Sequence, residues 1–114
     1  MRIGELSRRS GVSPRSLRYY EQHGLIHATR ESNGYREYDE SVVERADIIH
    51  MLFGMDFPRE VVVSVLACTG EAPAEAHDAL TEQLERVREE LSARIERLTE
   101  TQRQVSAFLA ERGR

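Results

Sequence analysis

Between Ala74 and about Arg112 the chain contains neither Pro nor Gly, and residues that favour helix dominate. That run predicts one helix of about 36 residues, roughly 54 Å long at 1.5 Å per residue. Leu80, Leu84, Val87 and Leu91 follow a 4-3-4 spacing, and Leu98, Val105 and Phe108 keep the seven-residue step. Arg94 and Thr101 interrupt the seam, and Ile95 and Leu109 lie beside it, so the stripe drifts. The remaining residues of this 114-residue chain leave room for one small domain. A domain of that size cannot cover such a long apolar stripe. The expectation is therefore a winged head over 1–70 and a linker plus coiled-coil helix over 71–114. Leu80, Leu84, Val87, Leu91, Ile95, Leu98, Val105 and Phe108 would pair two copies as a homodimer.

The head reads as short helices punctuated by turns. Ile3, Leu6 and Ser7 recur at near-helical spacing, and Gly11 is placed to stop the segment. Ser13 is a good N-cap, and Pro14 suits the first helical position because its missing N–H would be unpaired there anyway. Leu17, Tyr20 and Glu21 carry this second helix to a stop at His23-Gly24. Two short helices joined through Ser10-Gly11-Val12-Ser13 describe a helix-turn-helix. Leu25-Ile26 can tuck beneath them. Residues 27–38 then read as a hairpin turning at Ser32-Asn33-Gly34, because Asn and Gly both tolerate positive φ. Asp39 caps a third helix over about 40–53, with Tyr38 and Val43 as a hydrophobic staple and Val42, Val43, Ala46, Ile49 and Leu52 or Phe53 inward. Asp56 with Pro58 starts a fourth helix to about Ala67, with Val62, Val65 and Leu66 facing the core.

Charge is distributed unevenly. The formal net charge is −4, but residues 1–38 hold seven Arg against four Glu, and the rest hold nine Arg against sixteen acids. A basic head on an acidic body points to a polyanionic partner for the head. Ser13 and Pro14 leave the second helix's N-terminal N–H groups facing outward, where they suit a phosphate. Arg15 and Arg18 lie one turn apart with Tyr19 beside them, on a helix slim enough for the major groove. Arg36 and Arg30 put charge on the hairpin, where a wing could grip flanking backbone. Tyr20 shares a face with Leu17 and reads as core, whereas Tyr35 and Tyr38 divide between wing packing and phosphate contact.

The run Ile3-Gly4-Glu5-Leu6-Ser7 through Arg15-Ser16-Leu17-Arg18-Tyr19-Tyr20 to Gly24-Leu25-Ile26 closely resembles the opening of MerR-family transcription regulators. The resemblance continues through Arg30-Glu31-Ser32-Asn33-Gly34-Tyr35-Arg36-Glu37-Tyr38 and weakens beyond Arg45. It implies a mainly helical winged helix-turn-helix head with a small β-hairpin wing, followed by a long dimerisation helix paired in an antiparallel coiled coil. It also implies DNA contacts from Ser13, Arg15, Arg18, Tyr19, Arg30, Tyr35, Arg36 and Tyr38. The partner would be double-stranded promoter DNA with a two-fold symmetric operator, whose spacer the dimer bends and untwists for RNA polymerase. Where the family usually has a basic residue, then Gly-Phe and Ser after the third helix, this chain has Phe53, then Asp56-Phe57 and Pro58. That departure bears on the docking of the fourth helix and leaves the DNA head unchanged.

Cys68 is the single cysteine. A lone thiol could sense electrophiles, but zinc or copper sites need two or more soft ligands, and His50 and His77 have no ligand spacing with it. The expectation is a buried, inert thiol, with no metal, no cofactor and an unassigned effector. No nucleophile–base–orienter grouping or glycine-rich phosphate loop points to an enzyme. The longest apolar stretch, around Val61–Val63 and Val65–Ala67, falls far short of the roughly 20 residues that span a bilayer. The N-terminus has no apolar segment of a secretory signal. A cytoplasmic, nucleoid-associated protein with no membrane partner is expected. Two other readings are an effector-independent repressor or architectural DNA-binding protein, and a coiled-coil interaction adaptor.

Overall fold

The computed structural model describes residues 1–68 and 72–113. Its elements are α1 (Ile3–Ser10), α2 (Pro14–Gln22), β1 (Thr29–Arg30), β2 (Arg36–Glu37), α3 (Ser41–Gly54), α4 (Arg59–Ala67) and α5 (Ala74–Glu111). They divide into two compact units, Met1–Leu66 and Ala67–Arg114. Among the described residues, no helix is long and apolar enough to cross a membrane.

The helix-turn-helix forms as its punctuation requires. Gly11 takes a left-handed φ of 77°, and its N–H bonds the Ser7 carbonyl at 2.9 Å to close α1. Ser7 Oγ donates to the Val12 carbonyl at 2.6 Å, which locks the turn from the other side. Ser13 then accepts from the Ser16 N–H at 3.1 Å, with Pro14 in the first turn of α2. Leu6, Val12, Leu17, Ile26, Ile49 and Val62 are the largest fully buried side chains of the core. Each contributes about 1.5–3 kcal/mol of transfer free energy relative to exposure. Tyr20 belongs to the same core, as its shared face with Leu17 implies. Arg45 Nε donates to the Leu25 carbonyl at 2.6 Å, tying α3 to the loop that follows α2.

The hairpin pairs Thr29 with Glu37 and Arg30 with Arg36 in antiparallel register. Its turn differs from the one expected of Asn-Gly. Only Gly34 adopts positive φ, at 84°, while Asn33 does not. The Gly34 N–H bonds the Glu31 carbonyl, and the Glu31 N–H bonds the Tyr35 carbonyl, each at 2.9 Å. Asn33 contributes its side chain instead, accepting from the Tyr35 N–H at 3.1 Å. The result is a longer loop in which a single glycine takes the left-handed residue.

Asp39 sits one residue before the N-cap of α3, which is Glu40, and still secures the first turn through Oδ2, which accepts from the Ser41 N–H at 3.0 Å and the Ser41 hydroxyl at 2.6 Å. Val42, Ala46, Ile49 and Leu52 form the buried face of α3. The start of α4 departs from expectation. Asp56 does not cap it, but lies at φ 61°, the one non-glycine residue with positive φ among those described. Gly54, two positions earlier, falls inside α3 and leaves that freedom unused. The helix begins after Pro58, whose carbonyl accepts from Val61 and Val62. Val61 joins Val62 and Leu66 as buried, while Val65 is partly buried.

In the second unit, α5 runs for 38 residues, about 57 Å. None of its residues is buried. Leu84, Leu91, Ile95, Leu98, Val105, Phe108 and Leu109 are all exposed, and Leu80 and Val87 are half-buried. Cys68 is half-buried, and its thiol donates to the Ala76 carbonyl at 3.4 Å.

Candidate nucleic-acid interface

The recognition surface is built on α2. Its inner face is fixed by Leu17 and Tyr20, so Arg15, Arg18 and Tyr19 are turned to the exterior, and all three are exposed. Arg15 and Arg18 have no carboxylate partner among the described residues, which leaves two uncompensated guanidiniums on one helix face. Ser13, exposed at the head of the helix, spends its side-chain oxygen on the Ser16 N–H.

The wing is anchored to this helix by one carboxylate. Glu21, on α2, accepts from the Tyr38 hydroxyl at 2.5 Å and pairs with Arg36 Nη1 at 2.5 Å. Its side chain is 17% exposed, so the pair is partly shielded from water and is held more firmly than a surface contact. The Tyr38 phenol is pushed up to about 12 by burial first, then by the hydrogen bond and charge of Glu21, with Arg36 and Arg18 opposing. Tyr38 is only 3% exposed. It is a core side chain that steers the wing.

The second consequence of this anchor is a shared hollow. Arg2, Ile3, Arg18, Tyr35, Arg36 and Tyr38 line a cavity of about 190 Å³. Arg18 from α2 and Tyr35 and Arg36 from the hairpin, far apart in sequence, thus face one small volume. Tyr35 is exposed, and the Arg2 guanidinium stacks 4.0 Å above its ring centroid. Sequence reasoning did not single out Arg2, because no periodicity or spacing links it to residue 35. Arg30 is exposed opposite Arg36 in the ladder. Two arginines facing each other across a hairpin repel in isolation. Glu21 pairs with Arg36 through Nη1 and offsets that repulsion, while Arg30 has no carboxylate partner among the described residues.

Cys68 and His77 belong to the second unit, and His23, His27 and His50 to the head. Among the described residues no group of three or more His, Cys, Asp or Glu could hold a metal ion. His50 sits 3.4 Å from the Tyr20 hydroxyl through Nδ1, a packing contact behind α2.

A family profile described as MerR HTH family regulatory protein matches residues 1–67. The chain belongs to the MerR family. It is a DNA-binding transcription regulator, of a family of regulators and not of enzymes. Among MerR relatives, the HTH-type transcriptional regulator HmrR of Rhizobium leguminosarum bv. viciae is 35% identical over 106 residues, covering 90% of this chain and 79% of the relative. HmrR of Sinorhizobium medicae (strain WSM419) is 36% identical over 90 residues, and there the match spans only 61% of the relative's length. Among solved MerR structures, PbrR691 from Ralstonia metallidurans CH34 in complex with lead(II) superposes with a TM-score of 0.63 at 28% identity, covering 90% of this chain and 86% of that one. HiNmlR, a MerR-family regulator lacking the sensor domain and bound to promoter DNA, shares the fold at a TM-score of 0.59 and 16% identity, covering 81% and 73%.

Proposed function

We propose that this MerR-family regulator works as a homodimer on a two-fold symmetric promoter operator. The head over residues 1–70 reads DNA, and the segment 71–114 couples two heads. α2 enters the major groove with Arg15 and Arg18 toward base edges or phosphates and Tyr19 toward the backbone. Arg30, Tyr35 and Arg36 grip flanking phosphates, with Tyr38 holding the wing in place through Glu21. The observation that carries this reading is the Glu21 anchor, because it holds wing and recognition helix in one register and so lets both engage a single duplex. Ser13 supports the helix tip.

The exposed apolar ladder of α5 supplies the second half. Leu84, Leu91, Ile95, Leu98, Val105 and Phe108 are 36 to 62% exposed, an extent of apolar surface that a partner helix would cover. Leu80 and Val87 extend the same seam. Coupling two heads through a rod makes half-site spacing a geometric consequence of the dimer. The dimer then bends and untwists the promoter spacer at a cost of about 1–6 kcal/mol, offset by phosphate contacts at both ends, and presents the distorted promoter to RNA polymerase. Its place of action is the nucleoid.

Selection from a random duplex pool tests this reading. An inverted repeat should emerge, and recovery of no palindrome would overturn the dimer. Arg18→Ala should weaken operator binding by ~1–3 kcal/mol if Arg18 reads a base. If Arg18 grips phosphate alone, specific and non-specific affinity fall together and the salt slope flattens by about one unit. Unchanged affinity would remove α2 from the role of recognition helix.

A second reading, regulation without a metal effector, is favoured by one observation. A relative from Rhizobium meliloti (strain 1021), 34% identical, is described as heavy metal-dependent transcription regulator 2, yet here the one thiol of the chain donates to the Ala76 carbonyl. A soft-metal site needs two or more soft ligands. Thermal-shift titration with lead, zinc and copper ions distinguishes the two readings: a raised Tm restores a metal effector, and a flat response supports ligand-free action. The adaptor reading is disfavoured by the exposed, unpaired Arg15 and Arg18.

A further inference from the structure

Beyond the edge of α2 that faces the wing, a second edge carries an unassigned cation. Arg59, the first residue of α4, is exposed and turns toward α2. Its Nη1 lies 2.9 Å from His23 Nδ1 and 3.4 Å from the Tyr19 hydroxyl. The Tyr19 and His23 rings are tilted at 53° to each other with centroids 4.3 Å apart. Arg15, Tyr19 and His23 follow one another at four-residue steps, so they share a single face of the helix.

The partners of Arg59 set it apart from other arginines of the chain. Arg9, Arg36 and Arg103 are each paired with a glutamate, at 2.5 to 2.6 Å. Arg59 is held by an imidazole and a phenol, and among the described residues no carboxylate reaches it. Neither partner carries a negative charge, so the guanidinium is fixed in place while its charge stays uncompensated. A guanidinium offers five N–H donors, and these contacts engage one of its terminal nitrogens. The other donors remain to form a fork toward an oxyanion.

We propose that Arg59, steadied by Tyr19 and His23, is a DNA-phosphate contact on the edge of α2 opposite the wing. This rests on the reading of α2 as the helix that enters the major groove. That groove is about 12 Å wide, and a helix with side chains is about 10–12 Å across. Both edges of an inserted helix therefore approach a phosphate backbone. Arg18 and Arg36 serve one edge, and Arg59 with Tyr19 serves the other. Phosphate contacts at both edges fix how far the helix rotates about its own axis, and that rotation decides which base edges Arg15 and Arg18 can reach.

The test measures binding of the full chain to its selected operator and to an unrelated duplex, by fluorescence anisotropy over a salt series. Arg59→Ala should lower both affinities by a similar factor, about tenfold, and reduce the salt slope by about 0.9. Arg59→Lys should restore the slope, because one ammonium replaces one released counterion. Thermal melts of both variants should match the parent, since Arg59 is exposed. An unchanged slope in Arg59→Ala overturns the proposal. So does a loss confined to the operator that lysine fails to restore, which would make Arg59 a positioning residue for Tyr19. Failure of the underlying reading is distinct: in that case the parent chain and Arg18→Ala bind both duplexes equally.

Discussion

The head and the long helix solve the same problem in opposite ways. Every fully buried apolar side chain, from Leu6 to Leu66, belongs to the head, while α5 buries none of its residues. The head closes on itself through four helices, α1 to α4, and a two-stranded hairpin. The helix is long, regular and apolar along one seam, with no covering surface supplied within its own length. The head draws its stability from intramolecular packing, and in the proposed dimer the helix would draw its own from the second copy. A mutation in one should therefore read out differently from a mutation in the other.

The largest effect should come from breaking that external dependence. If the proposed dimer forms along this seam, Leu91→Arg, or Leu84→Arg, should convert it to monomers in sedimentation velocity and reduce operator affinity by about 10²- to 10⁴-fold, because the second head no longer binds as an intramolecular event. The head itself should stay folded. A dimer that persists would show that the seam is not the interface.

Next comes Leu17→Ala, at a core position with no exposed surface. It should cost about 2–5 kcal/mol in urea unfolding of the head. A loss under about 1 kcal/mol would mean that α2 is not held by its buried face. Alkaline titration gives a third and smaller contrast. The Tyr38 phenol titrates near 12 in the folded head against about 10 when unfolded. Its contribution is complete below pH 10 and is lost as pH rises toward 12, because the unfolded chain releases the proton first. The urea midpoint of the head should fall across that window, and Tyr38→Phe should remove this part of the decline. The smallest effect should be a gain: Asp56→Gly relieves a left-handed residue and should stabilise the head by about 0.5–1 kcal/mol in the same assay.

Much of the fold is legible in local chemistry. Gly11, Ser13-Pro14 and Asp39 each specify a backbone state by their own side chain or its absence, so the helix-turn-helix and the start of α3 follow from sequence alone. The Pro- and Gly-free run after Pro73 likewise fixes α5. Asp56 escaped this reading because Gly54 is the residue better suited to a left-handed stop, and the packing of Phe53 and Phe57 against the core sets where the chain must turn. For the candidate site, the outward face of α2 is legible from the inward spacing of Leu17 and Tyr20. What periodicity cannot show is which distant residue answers an exposed charge. Glu21 with Arg36, Arg2 over Tyr35 and Arg59 beside Tyr19 are all pairings across separate elements. Tyr35 and Tyr38 lie three residues apart around a short strand and so face opposite ways, with Tyr38 directed into the core cluster and toward Glu21.

Both fasteners of the hairpin to α2, the Arg36 guanidinium and the Tyr38 hydroxyl, emerge from the β2 side. The β1 strand has its backbone ladder with β2. The hairpin is therefore pinned along one margin, like a page bound at its spine. In the proposed complex, a duplex that widens or narrows beneath the hairpin would meet an Arg30 margin joined to β2 by the backbone ladder, while the bound margin keeps its bearing on α2.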